Sequence, residues 1–264
     1  MTRRTALPPP LAAGAFTVRE LRDAGLAWDR VRAADLSRVC RGVHTAGDPQ
    51  PHGWDAAAAV ARQTGGVLSH TTAAAWHGLP LPWRLQHSPL LHLTFDRGVR
   101  THRTELDVVT SHRLRLRPAQ IMETPEGLRA TTPERTWFDL MTLLRPLEQD
   151  WSVAAGDHLV RWPWRDGHRV PPTSTLSALE EVVHTCRGRP GSRTARAALA
   201  DVRVGSDSPS ETFLRLALVR AGLPEPELQA AVDPGDPRSP EVDLGYRRAR
   251  IALQYDGEGH RSPS

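Results

Sequence analysis

Towards its end the chain changes its hydrophobic period from 3.6 to 2. Leu214, Ala217, Leu218 and Ala221 recur at i, i+3, i+4 and i+7, which is one face of a helix. Ser208, Pro209 and Glu211 supply the start signal: an N-cap hydroxyl, a proline at the first helical position and the acid of a capping box. Gly222 and Pro224 supply the stop. From there Val242, Leu244 and Tyr246 alternate with Asp243 and Gly245. Beyond the polar turn RRAR, Ile251, Leu253 and Tyr255 alternate with Ala252, Gln254 and Asp256. Strict alternation is the pattern of a strand with one buried face, so this stretch predicts a helix followed by a β-hairpin. A helix packed on an antiparallel pair places the chain in the mixed α+β class.

The hairpin has a chemical consequence. Asp243 lies on the opposite side of its strand from the apolar set, and Gln254 and Asp256 do the same on theirs. A register that brings these sides together puts Asp243 within cross-strand reach of Gln254 or Asp256, and Glu211 can join from the helix. Clustered oxygen ligands are what Mg²⁺ requires, and a bound Mg²⁺ can activate water and stabilise charge on a phosphate.

A helix glutamate, a strand aspartate and a strand ending in QYDGEGH together resemble the PD-(D/E)XK nuclease superfamily. More narrowly, they resemble the very-short-patch-repair-like endonuclease domains at the C-terminus of many actinobacterial proteins. The resemblance covers about the last fifth of the chain. It implies Glu211, Asp243, Gln254 and His260 as catalytic positions, with Asp243, Gln254 and Asp256 around Mg²⁺. Relatives usually place Glu where this chain has Gln254, and a neutral amide is a poorer Mg²⁺ ligand than a carboxylate. The superfamily's lysine has no counterpart, because the sequence contains no lysine, although the repair-type branch uses histidine instead. Such domains also continue past this motif with a further helix and strand, so the resemblance implies a partial, C-terminally truncated domain. Simpler roles compete with the catalytic ones. Glu211 can be only the N3 residue of a capping box, Asp243 a solvated residue on an edge strand, and His260 part of a loose terminal segment.

Composition bounds the remainder. With 264 residues there is room for two or three domains, and 39% hydrophobic with 24% charged residues describes a globular protein. No long apolar run or secretory signal is present, and Cys40 and Cys186 make neither a disulfide framework nor a zinc site, so a cytoplasmic location is expected. The formal charge of +4 is unevenly spread. Residues 1–50 hold eight arginines against five acids, and residues 206–264 hold seven against ten. A basic start suits phosphate contacts, and an acidic end suits a metal.

Residues 1–15 read as a disordered, proline- and alanine-rich lead. Thr17 and Glu20 form a second capping box opening a helix that Gly25 closes, Leu26–Leu36 reads as a second short helix, and Val39 and Val43 flank an Arg-Gly turn. Two short helices and a hairpin over 16–50 outline a winged helix-turn-helix. The pattern FTVRELRDAGL…LSRVCRGVHTAGD, continued by SH..AA..HGL from Ser69, resembles the N-terminal region of AbiEi-type antitoxins. That resemblance implies binding to double-stranded DNA, regulation of an operon and a cognate toxin as partner. Arg30, Arg32, Arg38 and Arg41 are the expected phosphate contacts, against the simpler reading of solvated arginines. Residues 51–147 read as an antitoxin-like α/β region with strands at 90–95 and 106–116, the latter with Arg113, Arg115 and Arg117 on one side. His70 and His77 share a helix face and read as a packed pair. Residues 148–205 read as a helical bridge with caps at Ser177 and Ser192, and 206–264 as the partial endonuclease-like domain. Two functions follow: a DNA-binding protein with a weak or inactive Mg²⁺-dependent nuclease domain, or a regulator without catalysis.

Overall fold

The computed structural model describes residues 5–46, 54–96, 109–236 and 239–255. The chain is α+β and forms two compact units, Met1–His77 with Arg84–Thr132, and Gly78–Trp83 with Pro133–Ser264. That division groups Pro133–Leu140, read from sequence with the middle region, with the C-terminal unit.

The first unit opens with α1 (Pro9–Ala12), β1 (Ala15–Thr17) and α2 (Val18–Asp23). The lead is therefore ordered in part. Leu11 is buried with Phe16 and Leu21 in a small core, and that contact, invisible in composition, fixes the turn. The Thr17–Glu20 capping box forms as expected, and Gly25 takes the left-handed conformation after the helix. The second expected helix is a single 3-10 turn, Trp28–Arg32. β2 (Leu36–Cys40) and β3 (Val43–Ala46) make the hairpin, and β1 adds to β3 to give a three-stranded antiparallel sheet.

Next comes α3 (Trp54–Thr64), whose Ala56–Ala61 are all buried. Alanine favours the helix and lets neighbours approach closely, so α3 packs against both the small sheet and the larger one that follows. β4 (Val67–Leu68), α4 (His70–Trp76), α5 (Trp83–Gln86), β5 (Leu91–Phe95), β6 (Val109–Arg113), β7 (Ile121–Glu123) and β8 (Arg129–Thr131) complete this part of the chain. The five strands form a mixed sheet of order β6-β5-β4-β8-β7. Leu91, Leu93 and Phe95 of β5 join the α3 core. β6 ends at Arg113, so Arg115 and Arg117 lie beyond the strand and the expected arginine stripe is not a strand face.

The second unit holds α6 (Pro133–Leu140), α7 (Asp150–Val160), the ribbon β9 (Trp164–Arg165) and β10 (His168–Arg169), α8 (Leu176–Thr185), α9 (Ser192–Asp201), α10 (Pro209–Arg220), β11 (Glu227–Ala231), β12 (Glu241–Tyr246) and β13 (Ile251–Leu253). The caps of α8 and α9 are Thr175 and Gly191, not Ser177 and Ser192. The stretch read as a proline-rich break contains the β9–β10 hairpin, turned by Asp166 and Gly167 at positive φ.

The buried face of α10 is a correction to the periodicity. Glu211, Thr212, Arg215 and Leu216 are buried, whereas Ala217 and Ala221 are exposed. Arg215 explains it. Its guanidinium donates to Asp157 Oδ2 of α7 at 3.0 Å, to the Asp201 carbonyl at 2.7 Å and to Glu225 at 2.9 Å. Thr212 donates to the same Asp157 oxygen at 2.8 Å, and the Arg203 N–H donates to its other oxygen at 2.7 Å. With both terminal nitrogens paired, and Nε left without a hydrogen-bond partner, the guanidinium sits at 1% exposure.

Candidate functional site

β11, β12 and β13 form an antiparallel sheet in that order. Leu244 faces Leu253 across the β12–β13 pair, so the next position along sets Asp243 beside Gln254. Gln254 Nε2 donates to Asp243 Oδ1 at 2.9 Å, and the Tyr255 N–H donates to Oδ2 at 2.8 Å. Leu244 is fully buried on the other side of the strand. The expected juxtaposition of Asp243 and Gln254 is present, and alternation was the signal for it.

Glu211 comes from the first turn of α10. Ser208 caps the helix by accepting the Glu211 N–H at 3.3 Å. The capping box is only half formed, because the Glu211 carboxylate reaches the N–H of Asp207 at 2.8 Å and not that of Ser208. Burial pushes the Glu211 carboxyl above its ordinary range, and the nearby charges of Asp243 and Asp207 push in the same direction. α10, which carries Glu211, packs against β12, which carries Asp243. Asp256 and His260 lie outside the described residues.

Arg169 was not foreseen. The β9–β10 hairpin delivers its guanidinium to Asp207 at 2.7 Å and to Gln229 at 2.7 Å, with Glu241 at 3.4 Å and the Trp164 ring stacked beneath it. In a chain without lysine this arginine is a cation at the edge of the acid cluster, engaged by Asp207. The Asp-Gly turn was the sequence signal that could have found it.

These residues fit Mg²⁺ poorly. The Gln254 amide turns its N–H, not its oxygen, toward Asp243, and both Asp243 oxygens already accept hydrogen bonds. One Glu211 oxygen is taken by the backbone. A hard cation needs several free oxygens, and here N–H donors already occupy the oxygens it would need.

Among the expected DNA contacts, Arg30 is otherwise engaged. It is 9% exposed, forms a bidentate pair with Asp35 at 2.9 and 2.7 Å, and donates to the Thr5 carbonyl. Arg32 lies 4.3 Å over the exposed ring of Trp28. Arg38 and Arg41 are exposed, on β2 and in the hairpin turn.

Sequence reasoning also missed a histidine cluster in the first unit. His70 partners not His77 but His92 and His112. Their ring centroids lie 5.5 Å apart for His70–His92, 3.6 Å for His70–His112 and 5.1 Å for His92–His112. His77 instead hydrogen-bonds the Thr131 carbonyl at 2.8 Å. Burial, with the charge of His112 adding to it, pushes His92 down to about 4, and burial lowers His112 as well.

No known family model matches the chain. It is similar to two uncharacterised proteins of Mycobacterium tuberculosis, one from strain CDC 1551 / Oshkosh and one from strain ATCC 25618 / H37Rv. Each is 28% identical over 236 residues, a span that covers 89% of this chain and 79% of the relative. Neither name carries an activity. Among the described residues no helix is long and apolar enough to cross a membrane.

Proposed function

We propose that this is a DNA-binding protein whose C-terminal unit retains the layout of a nuclease-type site with little or no catalytic capacity. The supporting observation is the placement of Glu211 on α10 beside Asp243 on β12, with Gln254 hydrogen-bonded to Asp243. Helix acid, strand acid and a third group at the end of the next strand occur in the order that the PD-(D/E)XK resemblance implies. The chemistry of the third group argues for low activity, because an amide donating to Asp243 removes both a ligand and a charge. DNA binding rests on Arg38, Arg41 and the Arg32–Trp28 stack. These present positive charge and an aromatic face to solvent in the N-terminal sheet and 3-10 turn.

A second reading, a regulator or antitoxin without catalysis and with a cognate toxin as partner, is favoured by the same Gln254 contact. Incubation of the protein with plasmid DNA and Mg²⁺ or Mn²⁺, beside Asp243→Ala, separates the two. Brisk cutting that Asp243→Ala abolishes would refute the low-activity proposal. Absence of salt-sensitive duplex binding in a filter or mobility assay would refute DNA binding.

A further inference from the structure

We propose that His70, His92 and His112 form a binding site for one divalent transition-metal ion of the zinc class, with a fourth position open to water or a small ligand. The site lies wholly within the first unit and is independent of the nuclease-type reading.

Three elements build it. β5 buries both of its sides: Leu91, Leu93 and Phe95 point into the α3 core, and His92 and Thr94 lie on the reverse. β6 runs parallel to β5 with His112 level with Thr94, so His92 and His112 are diagonal neighbours on one side. The start of α4 brings His70 to the same place. One ring nitrogen from each histidine lies within 4.8 Å of the other two. His70 and His92 are 2% and 4% exposed, and His112 is half-buried, giving the site a route to solvent.

The spacing suits coordination. His92 Nδ1 and His112 Nε2 are 2.9 Å apart. Two imidazole nitrogens bound tetrahedrally to one Zn²⁺ at about 2.0–2.1 Å stand roughly 3.3 Å apart, a small adjustment. The His70 ring, stacked on His112, has to rotate to reach the same ion.

The surroundings supply an outer layer of support. His70 Nδ1 lies 3.0 Å from Ser69 Oγ, which also accepts the Thr94 hydroxyl at 2.9 Å. Donation from His70 Nδ1–H to Ser69 would orient the ring in the way second-sphere partners orient metal-binding histidines. Thr72 fixes the backbone of His92 by accepting its N–H at 2.7 Å. His70 also holds a left-handed backbone, φ 50°, which is disfavoured for a residue with a Cβ.

Three imidazoles select the cation. Nitrogen ligands suit Zn²⁺, Co²⁺, Ni²⁺ and Cu²⁺, whereas Mg²⁺ and Ca²⁺ demand oxygen. Three protein ligands and an open position form the arrangement of reactive zinc sites, not of closed structural ones.

The test uses the full chain, stripped with chelator and titrated with ZnCl₂ by calorimetry, with metal content measured after gel filtration. The expected result is one equivalent bound, a higher melting temperature, and loss of that equivalent in His92→Gln/His112→Gln. His184→Gln, at an exposed site in the other unit, should bind as the unaltered protein does. Ser69→Ala should weaken binding about tenfold. CoCl₂ added to the unaltered protein should give four-coordinate d–d bands without a thiolate charge-transfer band, a readout that does not depend on the variants folding. Failure of the folded protein to bind an equivalent, retention of it by the double histidine variant, or a thiolate signature would each overturn the proposal.

Discussion

Replacing Gln254 by Glu tests whether the C-terminal acid cluster is a disabled cation site. The substitution removes the 2.9 Å hydrogen bond from Gln254 Nε2 to Asp243 and sets two carboxylates at that distance, with Glu211 behind them. Two like charges about 3 Å apart repel by roughly 1.4 kcal/mol in a water-like dielectric and roughly 5 kcal/mol at an effective dielectric near 20. Gln254 is exposed, so the lower figure applies, and rotation of the new side chain into solvent reduces it further. The metal-free variant should therefore lose about 1 kcal/mol, a fall of about 2–4 °C in melting temperature for a chain of this size. Mg²⁺ or Mn²⁺ should reverse that loss, because the cation converts the repulsion into shared coordination. The unaltered protein, whose Asp243 is already satisfied by two N–H donors, should respond little at the same concentrations. Paired thermal melts with and without divalent salt, at matched ionic strength, give the comparison. Equal stabilisation of both proteins, or no response from the variant, would refute the reasoning.

Truncating Arg215 to Ala removes the counter-charge of Asp157, a carboxyl at 1% exposure that burial already pushes above its ordinary range, and should cost about 3–5 kcal/mol in a denaturant titration. The double change Asp157→Leu/Arg215→Met should recover much of that loss. His158 is held down to about 4, first by burial and then by the Arg161 charge. Its folded value lies below the unfolded value near 6.5, so its contribution is complete above that pH and is lost as pH falls from about 6.5 toward 4, by at most about 3 kcal/mol. The difference between the unaltered protein and His158→Gln across that window isolates it from Glu211, whose raised value gives the opposite slope. Arg38→Ala and Arg41→Ala should each weaken duplex binding evenly across sequences and reduce the logarithmic salt slope by about one, as read by filter binding. Arg30→Ala should instead lower the melting temperature, because it breaks the pair with Asp35.

The parts of this fold that could be read in advance are those specified by neighbours in the chain. The Thr17–Glu20 box closes over three residues, and the alternation around Asp243 and Gln254 fixes which side of each strand is apolar. A turn of known chemistry then leaves little choice of register. Errors arose where a distant partner decided the outcome. The spacing of Leu214, Ala217, Leu218 and Ala221 put those residues on the buried face of α10, and Asp157 instead draws Arg215 inward from another helix. β11 escaped notice because ELQAA does not alternate and Gln229 takes a positive φ within it. The β9–β10 hairpin was hidden by flanking prolines although its Asp-Gly turn was in plain view. The histidine cluster is the furthest case. His92 and His112 meet only because β5 and β6 run parallel, and the register of a parallel pair is set by packing, with no short turn to fix it. His70 reaches them through an unusual backbone angle that no residue-type preference foretells. A site assembled across a parallel pair and a helix start leaves three ordinary histidines in the sequence, and only the folded sheet makes them one chemical group.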